Sequence, residues 1–172
     1  MKKIIITSIM ATVGWGFSQA QVAIGKDEVT TASVSLEFAD TEARGLLLPW
    51  VDNAATVVNA VNGTLIYDAA DQKVKVKYAA GWKDLTIDET GTLGTATQPA
   101  IENQKAQVRI GGADNDSTAG ILVLADTDKA MVLPKVNDTD EVINPSAGMM
   151  VYLETQAILA VFNGTVWTFW SH

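Results

Sequence analysis

The side chains that most often carry out catalysis are scarce in this chain of 172 residues. It contains no cysteine and a single histidine, His172, which is the last residue. Nucleophilic catalysis needs a nucleophile with a base beside it, and the usual Cys–His and Ser–His arrangements lack their parts here. The lack of cysteine also excludes disulfides, thiolate metal ligands and a lipidated cysteine anchor.

Paired carboxylates are the remaining route to catalysis. In glycoside hydrolysis two acids face each other across a cleft, and Asp68 and Asp84 are the pair that this sequence offers. Both lie beside predicted turns, where acidic residues ordinarily serve solubility. In the second copy of a repeat described below their counterparts are Leu153 and Phe169. The sequence therefore predicts a protein that is not an enzyme and that uses no cofactor.

One acidic segment has the spacing of calcium ligands. Asp114-Asn115-Asp116-Ser117 alternates oxygen-bearing side chains, but it lacks the later glycine and the bidentate glutamate of an EF-hand loop. An acidic surface turn is the simpler interpretation. No metal site is predicted, and the sequence leaves open whether Asp114 and Asp116 bind calcium.

The tryptophans are the candidates for a binding function. Aromatic rings spaced along strands can stack on sugars, whereas a ring that closes a hairpin onto the core has a structural role. The structural role suits Trp82 and Trp167, which occupy equivalent repeat positions. Trp50 is the first candidate for contact with a glycan. The predicted contact surface consists of Trp50, Val166, Trp167, Phe169 and Trp170.

The elements that position these side chains occur twice. A first set of residues recurs 85 positions later: Pro49, Val51, Gly63, Tyr67 and Trp82 return as Pro134, Val136, Gly148, Tyr152 and Trp167. Upstream, Val22, Ile24, Gly25, Ala39, Asp40 and Thr41 return at a spacing of 86. Ordered matches over a whole unit indicate a duplicated module. We therefore expect a repeat unit at residues 21–87, a linker rich in Gly and Thr at 88–104, and a second unit at 105–172.

Each unit is expected to be rich in β-structure, with short strands followed by a three-strand meander. In unit one, residues 34–38 alternate as a strand with one buried face does. The apolar run 45–49 predicts a buried strand that ends at proline. A short helix is expected only in unit one, with Asn53 as its N-cap. The meander strands are expected at 64–68, 73–78 and 82–86, and at 149–153, 158–162 and 166–170.

The first twenty residues have the features of a secretory signal peptide. Lys2 and Lys3 precede a mostly apolar stretch, and Ser18-Gln19-Ala20 fits a cleavage site. The apolar stretch is too short to span a bilayer. We expect a mature chain that starts at Gln21, is exported across the inner membrane and does not insert into a membrane afterwards. The cell surface or the extracellular space is the expected location, with the periplasm as the alternative.

Charge and size restrict the partners. The chain has 20 acidic and 12 basic residues, a net charge of −8, which repels phosphate backbones and anionic lipids and predicts no nucleic-acid partner. A unit of roughly 65 residues without disulfide or metal builds only a marginal core. The units are therefore expected to pack on each other or on other chains.

Several segments resemble a repeat of exported surface proteins of Bacteroidota, which is similar to segments of phage tail fibres. The resemblance rests on Gly45-Leu-Leu-Leu-Pro49, on Gly63-Thr-Leu-Ile-Tyr67, and on Asn163-Gly-Thr-Val-Trp167. Two features differ from the family pattern. An arginine that follows the proline in the family is Trp50 in unit one and Lys135 in unit two, and the short helix is nearly lost in unit two.

The resemblance implies a surface or fibre-like structural part without catalytic residues. It also implies that Ser117, between Asp116 and Thr118, is a candidate acceptor for the O-glycosylation of Bacteroidota. Together with the repeat, it predicts a structural or assembly protein that acts through contacts with itself, as a homo-oligomer, or with a protein partner. The alternative is a carbohydrate-binding or adhesive module that uses exposed tryptophan.

Overall fold

The computed structural model describes residues 21–93, 107–112 and 118–171. In this part of the chain β-strands are the main regular structure, and helix is limited to two three-residue 3-10 turns. The predicted mainly β fold is confirmed. The predicted signal peptide, residues 94–104 of the predicted linker, the acidic segment 114–117 with Ser117, and His172 lie outside the described residues.

Unit one is built from parallel pairs and one antiparallel meander. Its strands are β1 Val22–Ile24, β2 Val34–Phe38, β3 Leu46–Leu47, β4 Trp50–Val51, β5 Leu65–Asp68, β6 Lys73–Tyr78 and β7 Gly81–Asp84. Strand β1 pairs in parallel with β2, and β4 pairs in parallel with β5, which begins the meander β5–β6–β7. Strand β3 is only two residues long.

Unit two repeats these pairings in the same register. Its strands are β8 Val108–Ile110, β9 Leu122–Leu124, β10 Ala130–Val132, β11 Lys135–Val136, β12 Met149–Leu153, β13 Ile158–Phe162 and β14 Trp167–Trp170. Equal register at a constant offset shows that the duplication in the sequence is also a duplication of strand pairing. The pair Lys77 and Trp82 of unit one corresponds to Phe162 and Trp167 of unit two, at an offset of 85. The pair Val22 and Leu36 corresponds to Val108 and Leu122, at an offset of 86.

A 3-10 turn follows β4, and an equivalent turn follows β11. In unit one it spans Ala54–Thr56, and the predicted cap is confirmed because Asn53 accepts a hydrogen bond from the backbone N–H of Ala55 at 2.8 Å. In unit two it spans Thr139–Glu141, where helix was not expected, and Asp138 is its cap. A short polar side chain before the turn is enough to keep it, although the other residues of the family's helix are gone.

Two strands cross between the units and join their sheets. Strand β3 of unit one pairs antiparallel with β12 of unit two, with Leu46 opposite Met150. Strand β10 of unit two pairs in parallel with β2 of unit one, with Met131 opposite Leu36. Each unit thus contributes a strand to a sheet of the other.

The larger hydrophobic core lies between the units rather than within either one. It is formed by Leu48, Tyr67, Val74, Ala147, Met150 and Val161, with Trp50, Leu65, Leu85 and Leu159 packed against it. A second core lies mainly in unit two and contains Val136, Val142, Val151, Leu153 and Ala160. The expectation that such small units pack on each other agrees with this arrangement.

Strand β2 differs from its prediction because both of its faces are buried. Ser35 and Glu37 are as inaccessible as their apolar neighbours, and β2 is also paired along both edges, by β1 and by β10. The Glu37 carboxylate is satisfied by the Lys26 ammonium at 2.7 Å and by the Thr30 backbone N–H and hydroxyl, both at 2.6 Å. These hydrogen bonds allow a charged residue at a position where burial would otherwise be costly.

The run 45–49 was expected to be a buried strand, but its strand is limited to Leu46–Leu47, which is not buried, and the buried residue Leu48 follows it. Leu48 is buried, whereas Leu47 is exposed. Leu47 stays accessible because β3 is hydrogen-bonded along one edge only, to β12, among the described residues.

Gly63 and Gly148 form a matched pair for testing the contact between the units. Both have positive φ, +88° and +83°, so alanine is strained by about 1 to 2 kcal/mol at either position. A Cβ on Gly148 would lie 2.9 Å from the Tyr67 Cβ, whereas one on Gly63 meets no atom within 4 Å. We predict that Gly148→Ala lowers the free energy of unfolding by about 1 to 3 kcal/mol more than Gly63→Ala in denaturant titrations. Equal losses would show that the units do not approach closely here.

The buried Glu37 predicts a stability loss in acid. The hydrogen bond from Lys26, followed by those from Thr30, lowers the pKa of Glu37 from 4.5 to about 2. A carboxyl with a lower pKa in the folded state stabilises the fold above its unfolded pKa, and this contribution is lost between pH 4.5 and 2. Glu37→Gln should therefore destabilise the protein more at pH 6 than at pH 3, measured by denaturant unfolding. Lys26→Met should show the same pH trend, and an effect of Glu37→Gln that is equal at both pH values would contradict the prediction.

Candidate assembly interface

Trp50 lies at the contact between the two units. Its indole N–H donates a hydrogen bond to the backbone carbonyl of Ala147 at 2.7 Å, and its ring is tilted against Tyr67 with centroids 5.8 Å apart. The side chain is partly buried. One polar atom and one face of the ring are therefore committed to contacts within the chain.

Tyr67 makes the most enclosed polar contact between the units. The side chain is fully buried, and its hydroxyl donates to the backbone carbonyl of Asn163 at 2.9 Å. Burial, and secondarily the negative charge of Asp68, raises the pKa of Tyr67. The neutral hydroxyl therefore remains a hydrogen-bond donor at physiological pH.

Asn163 organises the last hairpin turn and is itself fully buried. Its side-chain oxygen accepts from the backbone N–H groups of Thr165 and Val166 at 2.9 and 2.8 Å. Its amide nitrogen donates to the carboxylate of Asp88 at 3.0 Å. Asp88 belongs to the predicted linker, so the start of that segment is held against the hairpin of unit two.

Further contacts extend this attachment along residues 90–92. The Thr165 hydroxyl donates to the Thr90 carbonyl at 2.7 Å, and the Thr92 hydroxyl donates to the Gly164 carbonyl at 3.2 Å. A Cβ on Gly164 would lie 1.8 Å from the Thr92 carbonyl oxygen, so only glycine allows the two backbones to approach this closely. The described start of the predicted linker is packed against unit two.

The other predicted contact residues are Val166 and three residues of β14, which follows it, and they differ in exposure. The Trp170 indole N–H donates to the Leu85 carbonyl of unit one at 2.7 Å, and the Trp167 ring packs on Phe162 with centroids 5.1 Å apart. Val166 and Phe169 are exposed, Phe169 at 50%. Of the five predicted contact residues, Trp50 and Trp170 thus join the two units, Trp167 packs within unit two, and Val166 and Phe169 face outward. Contact with a second chain stays a prediction for all of them.

The acidic pair considered for catalysis, Asp68 and Asp84, makes structural contacts. Asp68 is buried and accepts hydrogen bonds from the backbone N–H groups of Ala54 at 2.8 Å and Asp71 at 3.3 Å. Burial raises its pKa, but these hydrogen bonds and Lys75 outweigh burial and leave the pKa below its ordinary value. Asp84 pairs with Lys73 at 3.4 Å and with Lys75 at 3.7 Å. Asp68 therefore holds a turn, and both carboxylates share the charge of one lysine.

The described residues contain no group of three or more His, Asp or Glu side chains arranged to hold a metal ion. Within the same residues, no helix is long and apolar enough to cross a membrane. The calcium and glycosylation hypotheses fall on residues 114–117, outside the described part, and stay predictions.

Sequence reasoning did not identify Tyr67, Gly148 and Asn163 as residues of the contact between units. All three carried a signal, Tyr67 and Gly148 as repeat markers and Asn163 as part of a segment that carries the family resemblance. Each signal indicated a role within its own unit. The partner of a residue across a duplicated fold cannot be read from spacing, because equivalent positions share local structure and differ in what covers them.

Comparison with known families supports an assembly role for this region. Residues 109–171 match a family model described as a phage tail-like trimerisation region. The similarity to phage tail fibres is supported. No curated protein matches the chain, and no solved structure does. The match covers most of unit two, including β9 to β14, and indicates a structural role in homo-oligomer formation through protein contacts; the Bacteroidota repeat stays a prediction.

The hydroxyl of Tyr67 allows a test of the joint between the units. Tyr67→Phe removes the donor and leaves the Asn163 carbonyl buried without it, which should cost about 1 to 3 kcal/mol of unfolding free energy. Its counterpart Tyr152 is partly exposed, so Tyr152→Phe is the matched control and should cost less. Denaturant titration of both variants measures the difference. A smaller loss for Tyr67→Phe than for Tyr152→Phe would contradict the assigned role.

Proposed function

We propose that this chain is an exported, non-enzymatic structural protein of the cell surface or extracellular space, which works as a trimer. The observation that carries the proposal is the match of residues 109–171 to a trimerisation region. Export rests on the signal-like residues 1–20. The chain contributes a β-rich part to a larger assembly, and its chemistry is that of protein contact.

Both units expose large apolar side chains, and one difference between equivalent strands supports assembly. In unit two the exposed large apolar residues include Ile121, Leu122, Ile143, Val166 and Phe169, all inside the matched region. The counterpart of Phe169 in unit one is Asp84, which is also exposed. Unit two thus has an apolar residue at an accessible position where the equivalent strand of unit one has an acid. Such a difference is expected where a partner covers the apolar residue.

The carbohydrate-binding alternative depends on a free aromatic platform. Trp50 donates its indole N–H to Ala147 and packs on Tyr67, and Trp170 donates to Leu85. These rings are used in joining the units. The geometry therefore favours assembly as the primary function.

The mass of the chain in solution tests the proposal. For protein that starts at Gln21, we predict light scattering to give three times the mass of one chain, independent of concentration in the micromolar range. Phe169→Asp copies the residue of unit one and should shift the protein towards monomer, because burying a carboxylate in an apolar contact costs several kcal/mol. Each ~1.4 kcal/mol weakens association tenfold.

Val58→Asp is the matched control for Phe169→Asp. Val58 is an exposed apolar residue outside the matched region, and its substitution should leave the trimer intact. A wild-type protein that stays monomeric at high concentration would refute the proposal. If its tryptophan fluorescence also changed on titration with glycans, the carbohydrate-binding alternative would replace it.

A further inference from the structure

One strand edge in unit two lacks the cover that its counterpart has in unit one. Strand β2 is paired on both edges, by β1 and by β10. Its counterpart β9 is paired by β8 alone among the described residues. The strand that would cover β9 is not supplied by the described part of this chain.

Equivalent side chains are more exposed where this covering strand is absent. In β2, which β10 pairs along one edge, Ser35 and Leu36 are each 1% exposed. Their counterparts Ile121 and Leu122 are 58% and 43% exposed. An open strand edge flanked by accessible apolar side chains is a template for pairing with another strand.

Strand β3 has the form required to fill this position. It is the counterpart of β10, at an offset of 85, and it has an exposed leucine, Leu47. Two backbone hydrogen bonds show which edge each strand uses. Beside β3, the Leu48 N–H donates to the Gly148 carbonyl next to β12. In β10, the Ala130 N–H donates to the Ser33 carbonyl next to β2.

These two donors face different edges of the equivalent strands. Ala130 corresponds to Gly45, three positions before Leu48. Successive backbone N–H groups of an extended strand alternate between its edges, so positions three apart face opposite edges. The edge that β10 uses against β2 is therefore the edge that β3 leaves open.

We propose that β9 of one copy is paired in parallel by β3 of a second copy of this chain, in the register that β10 adopts on β2. This register places Leu46 beside Leu122 and Leu47 beside Val123. The inference deepens the trimer proposed above, on which it rests, by naming the surfaces that meet.

A second open edge fits the same pair of chains. Strand β3 covers β12 at Met149 and Met150, whereas the equivalent edge of β5, at Thr64 and Leu65, has no strand against it among the described residues. Strand β10 of the neighbouring copy fits there, with Met131 beside Leu65. Both contacts join unit two of one copy to unit one of the next. Contacts between two different patches close into a ring when three chains are related by threefold symmetry.

Engineered cysteines test this pairing directly, because the chain has no cysteine of its own. Paired strands bring backbones within the distance that a disulfide requires. Leu46→Cys combined with Leu122→Cys should give, on oxidation, reducible species of two and three linked chains, with three as the largest. Leu46→Cys combined with Val58→Cys is the matched control and should give no defined linked species. Thermal melts in reductant show whether each variant is folded.

A second variant does not depend on disulfide formation. Ile121→Lys places a charge directly before β9, beside its open edge, and should lower the trimer fraction at least tenfold. Val58→Lys, the control at another exposed apolar residue, should leave the trimer fraction unchanged. A trimer by light scattering that neither cross-links through positions 46 and 122 nor responds to Ile121→Lys would overturn this pairing and leave the proposed function standing. A monomeric wild-type protein would overturn both. Linked species that continue beyond three chains would overturn the closed ring.

Discussion

The exchange of two short strands between the repeat units is the constraint on which the rest of the fold depends. Strand β3 leaves unit one to extend the sheet of unit two, and β10 makes the return contact with β2. The core between the units forms around this exchange, with Tyr67 and Met150 brought together from opposite halves. Since neither unit is large enough to build a sufficient core alone, the exchange adds a larger shared core to the smaller one that lies mainly in unit two.

The parts of the fold that depend on local pattern could be predicted from the sequence. The spans 34–38, 73–78, 149–153 and 158–162 match observed strands, because alternation, β-branched residues and flanking turn residues act over a few positions. Asn53 was predicted as a cap for the same reason. The repeat also predicts which positions share a backbone conformation. Gly63 and Gly148, at equivalent positions, both have positive φ.

The strand exchange and the interface could not be predicted. Strand β3 is two residues long, too short to show a period, and its partner β12 begins about a hundred residues later. The alternating pattern predicts Glu37 as a solvent-facing residue, because it does not show the contacts of the carboxylate with Lys26 and Thr30. The contact of Tyr67 with Asn163 likewise exists only once the units are packed, so spacing within one unit carries no signal for it.

Equivalent positions of the two units are filled with different chemistry. At the centre of the meander, unit one pairs buried Asp68 with Lys75 at 3.3 Å, and Asp68 also holds the 3-10 turn through Ala54. Unit two places Leu153 and Ala160 at these positions, both buried. Replacing a buried ion pair by apolar residues is often neutral or favourable for stability, so both solutions can support the same strands.

The consequences of this difference lie at the surface of the two meanders. In unit one the neighbouring positions are charged, since Lys75 pairs with Asp71 and Asp84 as well as with Asp68. In unit two the position of Asp84 holds exposed Phe169. At this position unit one therefore presents a charged residue to solvent, whereas unit two presents an apolar one, whose burial by the partner chain proposed above would gain free energy. The same strand position therefore presents an acid in one unit and an aromatic ring in the other, while the pairing of the strands is unchanged.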